Sequence, residues 1–386
     1  MFGRDARRHW ALDGTTTHLN HGSYGAVPRA VMQAAEARRH HVQSNPTQFV
    51  RTELPGLLRE AAALLAAYLG GQADDVVFVD NATTGINAVL RSLVLLPGDE
   101  VVVTNHVYGA VLRTLEFVCQ RAGARLVQTE IPFPLSDADT VRDRIVGSLS
   151  PRTRLVVVDH VTSPTALTLP IAAIAAAAAE RDVPVLVDGA HGPGMQDVGL
   201  DALGEAGVCW YAGNCHKWLG APPGCGFLWT RSDRQGTVRP TTISHFIADG
   251  YTAAFDWPGT KDFSAYLAVA DAVAFRRSFG EDAIFEYCHA LAVAGGEMLA
   301  TAWGTELGTP ASMTGFMTTV AFPVGGPATR ETADRLWRTF NDEHEVVPSV
   351  VPFGGRLWVR GSAYIYNEVA DFERLAEAGL KIANAG

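Results

Sequence analysis

Six apolar runs rich in β-branched residues set the strongest limit on how this chain can fold: DDVVFVD (74–80), EVVVTN (100–105), RLVQTE (125–130), RLVVVDH (154–160), VPVLVD (183–188) and VCWYAGN (208–214). Most are continuously apolar where a half-exposed strand would alternate, which is what a sheet buried on both faces requires. Helical stretches lie between them, with stops and starts at LPGDE, SPRTR and RDVP. Repeated β–α alternation predicts an α/β fold whose mostly parallel central sheet is covered by helices, with ligand-binding groups just after the strand ends. Beyond 257–275, read as a turn entering a long helix, the pattern changes. Helices over 281–303 and 329–345 flank short strands at 318–324 and 356–362, as expected of a smaller α+β domain. The expected organisation is an N-terminal segment (1–25) packed on the site, a large domain (26–270) and a small C-terminal domain (271–386).

With 386 residues, 47% of them hydrophobic, the chain is long enough for one large core and a second smaller one. A formal charge of −10 with no basic block argues against nucleic acid. No apolar run follows the charged N-terminus, and the most apolar helix, 171–179, is short, so neither secretion nor membrane insertion is expected. The five cysteines, Cys119, Cys209, Cys215, Cys225 and Cys288, form no CxxC pair and no Cys/His metal spacing. They read as reduced thiols in a cytoplasm, and no metal is expected.

Candidate chemistry sits where the topology puts it. Asn214, Cys215, His216 and Lys217 follow the last strand run and precede GAPPGCGFL. A lysine leaving regular structure there can be desolvated into a nucleophile, although a surface lysine on a turn reads the same. VPVLVD ends in Asp188, followed by Gly189, Ala190 and His191. Its carboxylate could hold a proton on a heterocyclic nitrogen, or cap a helix. Asn81, Ala82, Thr83, Thr84 and Gly85 open a helix whose free N–H groups suit a phosphate as well as an ordinary cap. Tyr108 could stack on a flat ring, or simply pack. Ser163 and Thr165, after RLVVVDH, could bond a phenolic oxygen, or form a turn.

In this order, these motifs resemble the class V aminotransferase family of fold-type I enzymes that use pyridoxal 5′-phosphate (PLP), and most of all its isopenicillin N epimerase-like branch. The resemblance runs through LNHGSYG (19–25), NATTG, HVTSPTA (160–166), DGAH, NCHKWLG (214–220), GTKD (259–262) and VRGSAYIYN (359–367). It implies the PLP-dependent transferase fold type I, with a seven-stranded-type central sheet. It also implies that Lys217 carries the cofactor covalently and moves protons at Cα, and that Asp188 pairs with the pyridine nitrogen. Thr83 and Thr84 would hold the phosphate with His216 and Asn214, while Tyr108 stacks on the ring. His191 and Ser163 or Thr165 would lie at the ring's oxygen side. Arg360 matches the substrate-carboxylate arginine, a role that suits a planar guanidinium. Asn20 and His21 would fold back over the site, and Arg51 is a candidate for a distal substrate group. The implied assembly is a homodimer in which Thr260 crosses the interface to the partner's phosphate.

The motifs do not say which bond at Cα breaks. The reading favoured here is C–S β-elimination from a cysteine S-conjugate, with or without further loss of carboxylate or amine, as in relatives from ergothioneine and lincosamide-type pathways of secondary metabolism. An isopenicillin N epimerase-like epimerase is the alternative and needs a second base, His21 or Tyr24, facing Lys217. An aminotransferase would need a keto-acid co-substrate. A cysteine desulfurase would need a mobile cysteine late in the chain, and none follows Cys288. A PLP-sensing regulator would need a DNA-binding segment, and only residues 1–18 precede the resemblance.

Overall fold

The computed structural model describes residues 2–385. Seven strands form its main sheet: β1 (Val76–Val79), β2 (Glu100–Thr104), β3 (Arg125–Thr129), β4 (Thr153–Asp159), β5 (Val185–Gly189), β6 (Val208–Asn214) and β7 (Gly226–Thr230), in the spatial order β1-β7-β6-β5-β4-β2-β3. Every pairing in the row β6-β5-β4-β2-β3 is parallel, and β7 runs antiparallel to both β1 and β6. The six expected runs are all strands. β7 was not expected, because GAPPGCGFL reads as loop and only its last residues pair.

Helices cover both faces. On one, Leu54–Tyr68, Ile171–Ala179 and Val269–Arg277 pack against Val156, Val158, Val185 and Val187; on the other, α1 (Ala82–Ser92) and α2 (Gly109–Ala122) cover Val101, Val103, Val157 and Leu186. The stretch 257–275 resolves into an extended turn followed by helical segments at Ser264–Leu267 and Val269–Arg277, with Asp262 accepting the Ser264 amide at 2.8 Å to start them. Double coverage explains the apolar strands, since neither face meets water.

The small sheet has β8 (Met317–Ala321), β9 (Ser349–Phe353) and β10 (Arg356–Ser362) in the antiparallel order β9-β10-β8. It packs with α3 (Glu281–Trp303), α4 (Arg330–His344) and α5 (Val369–Ala385) around Leu299, Phe340, Val359 and Phe372. β9 escaped sequence reading because Pro352 argues against a strand, and it is tolerated there because β9 is an edge. The N-terminal segment is tied to this sheet. Thr17–His18 pairs in parallel with Val346–Val347, and Ser362 donates its amide to the Leu19 carbonyl at 2.7 Å. Among the described residues no helix is long and apolar enough to cross a membrane.

Candidate active site

A cavity of about 470 Å³ opens at the carboxyl ends of β4, β5 and β6, lined among others by Thr83, Tyr108, Asp159, Asp188, His191 and Lys217. Its floor is the central strand. Asp188 is 3% exposed and accepts the Ala190 amide at 3.0 Å; it caps no helix. Burial raises its carboxyl, against the pull of the Ala190 amide and of Lys217. Lys217 is brought to the same place by the loop after β6, and burial, with Arg360 nearby, lowers its amine to about 8.

The bonding around Lys217 favours its unprotonated form. Trp218 donates its indole N–H to His191 Nδ1 at 3.2 Å, and His191 Nε2 lies 3.3 Å from Lys217 Nζ. An indole only donates, so Nδ1 accepts and the neutral imidazole carries its hydrogen on Nε2. That hydrogen points at Nζ, which can accept it only as a free amine. Burial, with the positive charges of Lys217 and Arg360 nearby, holds His191 well below its ordinary range, in keeping with a neutral imidazole.

At the other end of the cavity, α1 presents its N-terminus. Asn81 accepts the Thr84 amide at 3.0 Å and Asn214 accepts the Ala82 amide at 2.8 Å. Among the described residues the Thr83 amide and hydroxyl have no protein partner, so Thr83 is the group left free for an anion. Thr84 and Asn214, both expected at the phosphate, line the cavity as well, with the Thr84 amide and Asn214 Oδ1 bonded within the helix start. His216 lines the same end, its Nδ1 held 3.2 Å from the Cys225 carbonyl. Tyr108, 43% exposed at the N-cap of α2, forms a side wall.

The opposite wall comes from the small sheet. Arg360, 3% exposed on β10, bonds the Ser163 carbonyl, the Ser23 hydroxyl at 3.1 Å and Asn20 Oδ1 at 3.3 Å. No carboxylate among the described residues pairs with it, and its Nε is buried without a partner. Burial lowers the guanidinium to about 10. A buried cation without a counter-ion is a binding site for an anion. It faces a second space of about 330 Å³ between Tyr24, Val107, Tyr108, Pro164 and Val351, continuous with Lys217.

Several expected residues lie elsewhere. His21 is fully buried behind the lysine loop, bonded to Tyr366 at 2.9 Å and to the Lys217 carbonyl at 3.1 Å, and stacked on Tyr364 at 3.7 Å. It supports the loop and lines neither space. Thr165 is also fully buried, and its hydroxyl is engaged by His106 and Thr162, both at 2.7 Å, which leaves Ser163 as the hydroxyl at the cavity. Arg51 lies on a separate apolar cavity of about 570 Å³ with Leu54, Phe246 and Trp257. Thr260 is exposed on the loop before the Ser264–Leu267 helix. Sequence reading missed Ser23, Trp218 and Asp159. Asp159 had a signal: like Asp188, it is an acid that follows a buried apolar run at a strand's carboxyl end.

The family model for Aminotransferase class-V matches residues 23–375. The chain belongs to the class V aminotransferase family. Isopenicillin N epimerase of Amycolatopsis lactamdurans is 33% identical over 97% of this chain and 97% of its own length. The probable chloroplastic L-cysteine desulfhydrase of Arabidopsis thaliana is 31% identical over 95% of this chain and 82% of its own. Among solved structures, the cystine C-S lyase C-DES in complex with its reaction product cysteine persulfide superposes with a TM-score of 0.80 at 20% identity, covering 95% of this chain and 97% of that one. Like other members of the family, the protein is a PLP-dependent enzyme of fold type I. The cavity fits the cofactor: a buried acid on the floor for the ring nitrogen, a desolvated lysine at Lys217, and an unpartnered Thr83 amide and hydroxyl for the phosphate.

Proposed function

We propose that the enzyme is a C–S lyase that removes a thiol from the β-carbon of a cysteine S-conjugate, using Lys217 as its one base at Cα. Bound PLP supplies an electron sink that weakens the bonds at Cα. Asp188 keeps a proton on the ring nitrogen. Arg360 takes the substrate carboxylate and so fixes which bond at Cα faces Lys217. His191, held by Trp218, favours the unprotonated form of the released Lys217 amine, the form that accepts the Cα proton. The thiol then leaves from the β-carbon, and the overall balance is conjugate plus water giving thiol, pyruvate and ammonia.

The observation that carries this reading is that the proton-transfer groups gather at Lys217 alone. His21, a candidate for an opposing base, is locked behind the loop, and Tyr24 stands 80% exposed at the mouth with no hydrogen-bond partner among the described residues. Persulfide chemistry is disfavoured because all five cysteines are buried and unpaired, and none lines the cavity. The same reduced thiols suit a cytoplasmic setting. The apolar lining beside Arg360 favours an uncharged sulfur substituent. A homodimer, with Thr260 reaching the partner's phosphate, is supported by the apolar cavity at Arg51 and by exposed Ile243 and Phe246 near it.

The test is stoichiometry. Purified enzyme with S-alkyl and S-aryl cysteines should release thiol, pyruvate and ammonia in equal amounts. Alanine or a new amino acid formed from added keto acid, without thiol, would contradict the proposal in favour of transamination.

A further inference from the structure

Asp159 ends β4 and is the register partner of Asp188 on the adjacent parallel strand β5. Partners across parallel strands lie about 4.8 Å apart, with their side chains on the same face of the sheet. The two carboxyl groups therefore stand side by side beneath the cavity, 2% and 3% exposed. Their surroundings differ. Asp188 has the Ala190 amide on one oxygen and Lys217 in front of it. Asp159 has the Tyr108 backbone N–H beside it, and its Oδ2 is buried with no hydrogen-bond partner.

The other titratable groups nearby bring Asp159 no positive charge. His160 follows it in sequence but bonds the Tyr211 hydroxyl at 2.8 Å. His106 is engaged by Thr165 and the Ile131 carbonyl. Arg360 and His191 sit by Lys217, and burial holds His106, His160 and His191 below their ordinary range. Two adjacent carboxylates in such a site cannot both ionise.

We infer that Asp159 is held as the neutral acid and gives its Oδ2 hydrogen to the Asp188 carboxylate, so that the pair presents a single negative charge to the cavity. Asp159 is then a positioning residue. Its hydrogen bond fixes the rotamer of Asp188 and stops the pair from doubling the charge beneath the ring. The inference rests on Asp188 as the ring-nitrogen partner for what the pair does, but the proton itself can be read without the cofactor. Burial and the neighbouring Asp188 raise the Asp159 carboxyl well above its ordinary range, in the same direction.

Infrared spectroscopy of the cofactor-free protein at neutral pH should show the C=O stretch of a protonated, buried carboxyl that moves on exchange into deuterated water. The band should vanish in Asp159→Asn. A band absent from the unmodified protein, or kept in Asp159→Asn, overturns the inference. Titration of the band in the unmodified protein gives the same answer should a variant fail to fold: it must survive well above the ordinary carboxyl range. In the loaded protein, Asp159→Ala should weaken PLP retention about tenfold, the size of one lost hydrogen bond to a charged group. Asp159→Asn, which still donates, should restore most of it. An Asn variant as weak as the Ala variant would mean that the charge of Asp159 is what matters, and would also overturn the inference.

Discussion

The floor and the wall of the active site are built by different rules. The floor, with Asp188, Asp159 and Lys217, comes from the ends of neighbouring strands in one sheet, and its charges are muted. Burial raises Asp188 and lowers Lys217 to about 8, so each moves toward its neutral form. The wall, with Arg360, Ser23 and Asn20, is assembled from residues more than 300 positions apart in sequence. Its guanidinium stays charged and has no carboxylate partner. The difference separates two tasks. The amine that moves protons is held near neutrality, the acid pair beneath it carries a single charge, and the group that binds an anion keeps its charge uncompensated until substrate arrives.

Mutations should therefore fail in different ways on the two sides. The largest effect belongs to the floor: Lys217→Ala should cut kcat by about 10⁴-fold, and should abolish the visible absorbance of lysine-bound PLP. A variant that stays yellow and active would break the division. On the wall, Arg360→Ala should cost about 10²-fold in kcat/KM, mostly through KM, with the visible band intact. Loss of the band there would show that the two sides are not separable.

Turnover needs the unprotonated Lys217 amine, so kcat should rise as pH passes through about 8 and fall below it. Trp218→Phe removes the indole that fixes the His191 tautomer, so Nε2 can accept a hydrogen from a protonated amine. The rising limb should then move up by about one pH unit and lower the rate at pH 7 about tenfold. An unmoved limb would mean that the indole does not act through His191. The smallest expected effect is Ser23→Ala, which takes one of several bonds from Arg360 and should raise KM about fivefold with kcat unchanged.

The floor was legible in the sequence for a physical reason. Strands buried on both faces leave long apolar runs, and a polar residue ending such a run must sit at the sheet edge where ligands bind. Lys217, Asp188 and Thr83 were found that way, and Asp159 carried the same mark. The wall left little local trace. Ser23 lies in an ordinary Gly-Ser-Tyr stretch, and nothing nearby in sequence says that it bonds an arginine on β10. His21 and Thr165 misled for a related reason. Polar side chains beside a site and polar side chains within it look alike until packing shows whose hydrogen bonds are already satisfied. Arg51 shows the same limit, since a candidate contact to a distal substrate group cannot be assigned from sequence to one cavity or another.

The central claim is that Lys217 works alone on Cα and that the bond broken next is C–S. It is tested most directly by running the reaction on an L-cysteine S-conjugate in deuterated water and recovering the unreacted substrate before completion. The recovered substrate should be entirely L, with deuterium at Cα at most in that configuration, while thiol and pyruvate accumulate. Accumulation of the Cα-deuterated D-enantiomer without thiol release would contradict it.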